Sequence, residues 1–447
     1  MWRNYNLRVY SLYSILLLLA LVVSAPWWLL QMLRHGKYRA GLGERLGKVP
    51  DRLLSQVAVN TIWIHAVSVG EVLAISRVID ELKTQLSGWR IVVSTTTDTG
   101  QKLARERFGE NNVFYFPVDL PFAVRAYFQA LRPRLLALAE SEFWPNLLRW
   151  ARLSGTAVAV VNARVSDRSL PGYLRFQKLL LRVMQNVQLF LAQSEEDARR
   201  LVQMGALAAQ VKVSGNLKFE VKPPVRPAIA AAFAAMRRQE IGPLLVAGST
   251  LDGEDAMLLD MFRQVVARYP KALLLLAPRH PERFDTVASL LGSSGLPYQR
   301  RSQWKEGLPI VGSVFLLDSI GELASLYEFA DLAFVGGSLV PRGGHNVLEA
   351  AQFGTPILVG PHTENFRDIV EVFRRADALR VVTAQTLSGA VLHLLEHQDE
   401  RTALGGRALE VMRSQRGATE RTANALLELL SERGALCPSE ITSERGA

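Results

Sequence analysis

The 447-residue sequence holds a single cysteine, Cys437, so neither an intramolecular disulfide nor a cysteine-based metal site can form. No Gly-x-x-x-x-Gly-Lys-Ser/Thr loop is present, which argues against the common ATP- and GTP-hydrolysing enzymes. No Gly-x-Gly-x-x-Gly follows the first apolar strand, which weakens a dehydrogenase reading. There is no Asp-x-Asp triplet, the usual clue to a metal-bound nucleotide sugar, and His280, His345 and His362 are too scattered to argue for a metal site. Tandem repeats and low-complexity tracts are also missing. Charged residues make up 21% against 49% hydrophobic ones, the balance of a globular protein.

What is present is long enough for more than one hydrophobic core, so two domains are expected beyond an amino-terminal apolar segment. The formal charge of +10 suits nucleic acid, an anionic membrane or small anionic substrates, and does not choose among them. The basic residues are dispersed and no nucleic-acid-binding motif accompanies them, so no nucleic-acid partner is expected. From Val9 to Leu33 no residue carries a charge, and as a helix this run would reach roughly 37 Å, enough to cross a bilayer. Val23-Ser24-Ala25 resembles a signal-peptide cleavage site, but Pro26 would follow the cut and Trp27 to Leu30 continue the apolar run, which favours an uncleaved anchor. Arg34, Lys37, Arg39, Arg45, Lys48 and Arg52 follow the run against Arg3 and Arg8 before it, placing the body on the cytoplasmic side.

Beyond the basic collar, apolar runs alternate with helical patterns, which predicts parallel α/β sheets. Thr61 to Val69, Trp89 to Thr97, Val113 to Val118, Leu135 to Phe143, Thr156 to Val165 and Leu189 to Ser194 read as strands of one half. Pro243 to Ser249, Ala272 to Pro278, Val314 to Ser319, Leu332 to Ser338 and Pro356 to Gly360 read as strands of a second. The expected divisions are an anchor over 1–38, a first domain over 39–221, a linker over 222–242, a second domain over 243–435 and a loose tail over 436–447. Ligands of such sheets bind beyond the carboxyl ends of the strands, so a cleft between the halves is expected.

Candidate site residues lie at strand ends. Glu71, in His65-Ala66-Val67-Ser68-Val69-Gly70-Glu71, is a general-base candidate or a helix-start acid favoured by the dipole. Glu140 and Glu142, in Glu140-Ser141-Glu142-Phe143-Trp144-Pro145-Asn146, would share one side of an extended chain. Lys218, in Ser214-Gly215-Asn216-Leu217-Lys218-Phe219, is a cation for a donor phosphate or a solvated lysine. In the second half, Pro278-Arg279-His280-Pro281-Glu282-Arg283 presents an arginine fork held between prolines, and Asp318-Ser319-Ile320-Gly321-Glu322 is a base-contact loop or a plain helix start. Phe334-Val335-Gly336-Gly337-Ser338, followed by Gly343-Gly344-His345-Asn346-Val347-Leu348-Glu349, reads as a phosphate cradle whose helix would begin near His345; the glycines alone would read as a turn. The segment from Tyr173 to Val187 reads as a core helix with a basic edge, or as a helix resting near lipid headgroups.

Together with Asn162-Ala163-Arg164, these motifs in this order resemble the bacterial Kdo (3-deoxy-D-manno-octulosonic acid) transferases, from the anchor to about residue 370. The resemblance implies a GT-B fold of two Rossmann-like domains, acceptor on the first and CMP-Kdo on the second, with an amino-terminal transmembrane helix in the inner membrane. It implies Kdo transfer to a lipid A precursor with inversion, no cofactor and no required metal. By motif match it makes Glu71 the proton acceptor and assigns Glu140 and Lys218 to transition-state stabilisation. It assigns CMP contacts to Pro278, Arg279, Ile320, Gly321, Glu322, Asn346, Val347, Leu348 and Glu349; Arg164, Gly337 and His345 are added on their own context. One departure stands out: Leu251-Asp252-Gly253-Glu254 occupies the place of a His-Glu-Gly-Glu segment. Another sugar transferase of the same fold, or a membrane-tethered nucleotide-binding regulator, is the competing reading.

Overall fold

The computed structural model describes residues 2–35, 40–54, 60–166, 169–220, 226–238, 242–305 and 311–434. The chain divides into two units, one ending at Glu220 but rejoined by the segment from Gly417 onward, the other spanning Val221 to Arg416.

In the first unit, strands β1 (Thr61–His65), β2 (Arg90–Thr95), β3 (Val113–Tyr115), β4 (Leu135–Ala139), β5 (Ala157–Ala163), β6 (Leu189–Ala192) and β7 (Val211–Val213) form one sheet in the order β3-β2-β1-β4-β5-β6-β7. All neighbours are parallel. Helices cover both faces, which is why β1 reads as an uninterrupted apolar run: Ile62, Trp63 and Ile64 are all buried. Strand order reverses between β1 and β4, where His65 lies opposite Leu138. Crossovers on either side of such a boundary leave in opposite directions and open a crevice beyond the strand ends.

The second unit repeats the plan. Strands β8 (Leu244–Thr250), β9 (Leu273–Pro278), β10 (Tyr298–Arg300), β11 (Ser313–Leu316), β12 (Leu332–Val335), β13 (Ile357–Val359) and β14 (Arg380–Val381) pair in parallel in the order β10-β11-β9-β8-β12-β13-β14. Its reversal lies between β8 and β12. The expected linker lies partly outside the described residues; its helix, Ala228–Arg238, belongs to this unit and packs Phe233 edge-on against Phe315 at 5.7 Å.

The expected second-domain boundary at 435 is corrected. The helix Ala418–Glu432 leaves the second unit and completes the first, where Ala423, Leu426 and Leu430 share a core with Ile75, Ile79 and Leu82 of the helix Val69–Gln85. Its first turn is tied by Thr419 N donating to Glu220 Oε1 at 2.9 Å and Arg421 Nε donating to the Ser214 carbonyl at 2.9 Å. An apolar stripe at helical spacing says that a helix is buried, not which sheet buries it. The expected tail over 436–447 lies outside the described residues.

One helix among the described residues, Trp2–His35, is long and apolar enough to cross a membrane; its Val9–Trp28 stretch has a mean hydropathy of 2.0 and is almost wholly uncovered. It touches the first unit near its start. Asn146 Nδ2 donates to Ser14 Oγ at 3.1 Å, Asn186 Nδ2 to the Tyr10 hydroxyl at 3.2 Å, and the Arg149 guanidinium lies 5.0 Å from the Tyr10 ring centre.

The returning helix makes a testable difference. Leu426→Ala should destabilise the first unit by about 2–5 kcal/mol. Hydrogen exchange should then lose protection in Val69–Gln85 and leave β8 to β14 unchanged, and an equal loss in both units would contradict the assignment.

Candidate active site

On the first unit, Glu71 sits in the opening turn of the helix Val69–Gln85, directly after β1. Ser68 and Glu71 have the Ser-x-x-Glu spacing of a capping box. Here the carboxylate accepts from the Val67 backbone N–H at 2.8 Å and from the Ser68 hydroxyl at 2.9 Å. One local bond per oxygen holds it in place and leaves each oxygen further acceptor capacity. It is 9% exposed. Burial, helped by the negative charges of Glu140 and Glu142, pushes its pKa up to about 7 against the opposing pull of those two bonds. One residue is therefore both a helix-start acid and a carboxyl whose pKa is pushed up to about 7.

Glu140 is the first residue beyond β4, the strand beside β1. Its φ of 59° is left-handed, a region that costs energy for any residue with a Cβ and concentrates at functional sites. The expectation that Glu140 and Glu142 share a side of an extended strand is corrected by this turn: β4 ends at Ala139, and Glu142 accepts instead from Trp144 Nε1 at 2.7 Å. Lys218 Nζ donates to Glu140 Oε1 at 2.6 Å, so Lys218 is half-buried and paired rather than freely solvated. Its position depends on Asn162, at the end of β5, a buried residue with φ 54° whose Oδ1 accepts from the Leu217 N–H at 2.9 Å. Asn216 Oδ1 then accepts from the Lys218 N–H at 3.0 Å. Arg164 contributes its carbonyl, which accepts from the Ser141 hydroxyl and ties the β5 end to the Glu140 turn.

On the second unit, the expected contact residues lie at the ends of three strands, β11, β9 and β12, with β8 between the last two in the sheet. Pro278 ends β9 and lies opposite Thr250 of β8, whose carbonyl accepts from the Arg279 N–H at 3.0 Å. Arg279 is exposed at that edge. Burial, and then the positive charges of Arg279 and His280, drive the His345 pKa down to about 4, which keeps that imidazole neutral at pH 7. Burial raises Glu349, while Arg279 and a hydrogen bond from Asn346 oppose the shift. The Arg279 charge is thus felt by both His345 and Glu349. Val347 and Leu348 send their side chains into the core, so only their backbone is available to a ligand. Ile320 and Gly321 are exposed beyond β11. Burial would raise Glu322, but Arg301, bonded at 3.0 Å through both Nε and Nη2, and Ser319 hold it below the usual range.

The glycine-rich run departs from the sequence expectation. No helix starts near His345; a four-residue turn of helix, Leu348–Ala351, is all that forms. The backbone N–H groups of Gly337, Ser338 and Leu339 already donate to the carboxylate of Glu254, at 2.6, 2.9 and 2.9 Å. A Cβ on Gly336 would stand 2.5 Å from the Ser249 carbonyl oxygen, and one on Gly337 2.9 Å from the His345 ring, so close approach explains these two glycines.

Residues 40–221 match the family described as 3-Deoxy-D-manno-octulosonic-acid transferase (kdotransferase). A 3-deoxy-D-manno-octulosonic acid transferase from Haemophilus influenzae is 34% identical over 436 residues, covering 96% of this chain and 98% of the relative. The chain belongs to the Kdo transferase family.

A Bordetella pertussis 3-deoxy-D-manno-octulosonic acid transferase is similar to the transferase at 36% identity, with 92% of this chain and 98% of that one covered. A solved UDP-N-acetylglucosamine 2-epimerase shares the fold at a TM-score of 0.52 and 12% identity, covering 85% of this chain and 98% of that one. The two parallel sheets of the transferase are therefore of the GT-B type. Three residues with clear roles in its geometry escaped the sequence reading: Asn162 was noted only within a motif, Glu254 only within a departure from one, and Asp255 not at all.

Removing the Asn162 carboxamide from the transferase leaves the Leu217 N–H buried and unpaired while the left-handed backbone persists. Asn162→Ala should cost about 1–3 kcal/mol, read as a lower urea midpoint for the first unit. An unchanged midpoint would mean that the turn carrying Lys218 does not depend on Asn162.

Proposed function

We propose that the transferase moves Kdo from CMP-Kdo to a hydroxyl of a lipid A precursor, lipid IVA, in one metal-independent displacement that inverts the anomeric carbon and releases CMP. Glu71 takes the proton of the acceptor hydroxyl as its oxygen bonds to the Kdo anomeric carbon. The bond from that carbon to the phosphate oxygen breaks, and CMP carries the electron pair away. Lys218, held by Glu140, and Arg279 offset the charge that gathers on the leaving phosphate. The observation that carries this reading is the Glu71 carboxyl: buried, poised near pH 7 and placed at the strand-order reversal beside the end of β4. A general base is most effective when its pKa lies near the working pH.

In the same proposal, Pro278 and Arg279, the Ile320-Gly321-Glu322 loop, Asn346 with the Val347 and Leu348 backbone, and Glu349 form the CMP subsite, with His345 and Gly337 at its edge. Arg164 supports the acceptor side through its carbonyl. The apolar helix is a single anchor in the inner membrane of a Gram-negative bacterium, and the basic residues after it keep both units on the cytoplasmic side.

Glu71→Gln should lower kcat by roughly 10²–10⁴-fold while CMP affinity, measured by calorimetry, stays at the parent value. In the parent enzyme kcat/KM should rise with pH through about 7, since Glu71 must lose its proton before it can act. Glu140→Gln removes one of the charges that raise this pKa, so the residual activity of that variant should show its acid limb at lower pH. Near-normal turnover by Glu71→Gln, or a parent limb in the ordinary carboxylate range, would remove Glu71 from the mechanism.

A further inference from the structure

Two adjacent acids at the start of the helix Glu254–Arg268 are buried and touch the loops that follow β8, β9 and β12. Glu254 is 0% exposed and accepts four backbone N–H bonds: Leu251 and Gly337 to Oε2, Ser338 and Leu339 to Oε1. A carboxylate filling a nest of consecutive N–H groups does internally what a phosphate does in a ligand-bound glycine loop. The nest is occupied before any donor arrives. Asp255 faces the other way, accepting from the Thr250 hydroxyl at 2.7 Å and from the Arg283 guanidinium. Arg283 also donates to the Thr250 carbonyl at 2.9 Å, the same oxygen that accepts from the Arg279 N–H. One acid therefore grips the loop that leads to His345 and Asn346, and its neighbour grips the loop that carries Arg279.

We infer that Glu254 and Asp255 are positioning residues for the nucleotide subsite, clamping the Gly337–Leu339 loop and the Pro278–Arg283 loop to one helix start. The inference rests on the proposed CMP subsite. It also narrows the partners of the donor phosphate: the N–H groups of Gly337 to Leu339 are spent on Glu254, which leaves the phosphate to the other groups of the subsite, Arg279 among them.

The test measures CMP binding by calorimetry and transfer kinetics with each substrate varied in turn, in the full-length protein in detergent. Glu254→Gln swaps one acceptor oxygen for an NH₂ group that cannot receive the loop's N–H donors. Asp255→Asn weakens the hold on Arg283 and serves as the milder variant should the first not fold. Each should raise the KM for CMP-Kdo and the CMP dissociation constant at least about tenfold while leaving the KM for the lipid acceptor unchanged, since a tenfold change is about 1.4 kcal/mol, within what the loss of one charged hydrogen bond costs. Unchanged CMP affinity in the folded variants, or an equal rise in both KM values, would overturn the positioning role while the CMP assignment stands. A parent protein that binds no CMP would overturn both.

Discussion

A parallel sheet whose strand order reverses sends the chain to opposite faces on either side of one strand boundary. The gap beyond that boundary is the constraint on which both half-sites depend. In the first unit the reversal lies between β1 and β4, and the residues that follow those strands are Glu71 and Glu140. In the second it lies between β8 and β12, whose ends lead to Glu254 and to Gly336 and Gly337. The chain breaks ordinary backbone rules at the same places: Glu140, Asn162 and Ser249 all have positive φ at or just past strand ends. Such strain persists only where surrounding contacts over-determine it; at Asn162 the bond accepted from the Leu217 N–H supplies one, and at Glu140 the bond accepted from Lys218 another.

Glu71 and Glu254 show how one residue type serves two ends. Each lies in the first turn of a helix after the first strand of its unit, where the helix dipole favours a negative charge. Glu254 is ringed by four backbone N–H groups and is spent as their acceptor. Glu71 has one donor for each oxygen and two acidic neighbours, so burial prevails and its proton is loosely held near neutral pH. The two carboxylates thus differ in how many donors surround them, two at Glu71 and four at Glu254.

Much of this was legible in the sequence because buried parallel strands are continuous apolar runs; β1, β2, β4, β5, β9 and β12 all lie within the expected segments, and β8 runs one residue past its own. The short strands β7, β10 and β14 were not foreseen, since Val211–Val213, Tyr298–Arg300 and Arg380–Val381 lie at or beside sheet edges, are partly exposed and carry basic residues. The return of the helix Ala418–Glu432 to the first unit was invisible because its apolar stripe would suit either sheet. At the site, strand-end acids could be found by position, but the left-handed turn at Glu140, the Lys218 pairing and the Glu254 nest depend on partners some 80 residues away in sequence, a separation that local spacing cannot register. The glycine-rich run misled for the related reason that glycines serve backbone-to-backbone approach as readily as approach to a ligand.

The central claim is transfer of Kdo from CMP-Kdo to a lipid A precursor. The most direct measurement is mass spectrometry of the lipid after incubating the purified protein with a tetraacylated lipid A precursor and, in parallel, CMP-Kdo or UDP-sugars. The account predicts that only CMP-Kdo adds mass to the lipid, in whole Kdo increments, with one CMP released for each increment. A lipid left unchanged by CMP-Kdo, or modified from a UDP-sugar instead, would contradict it.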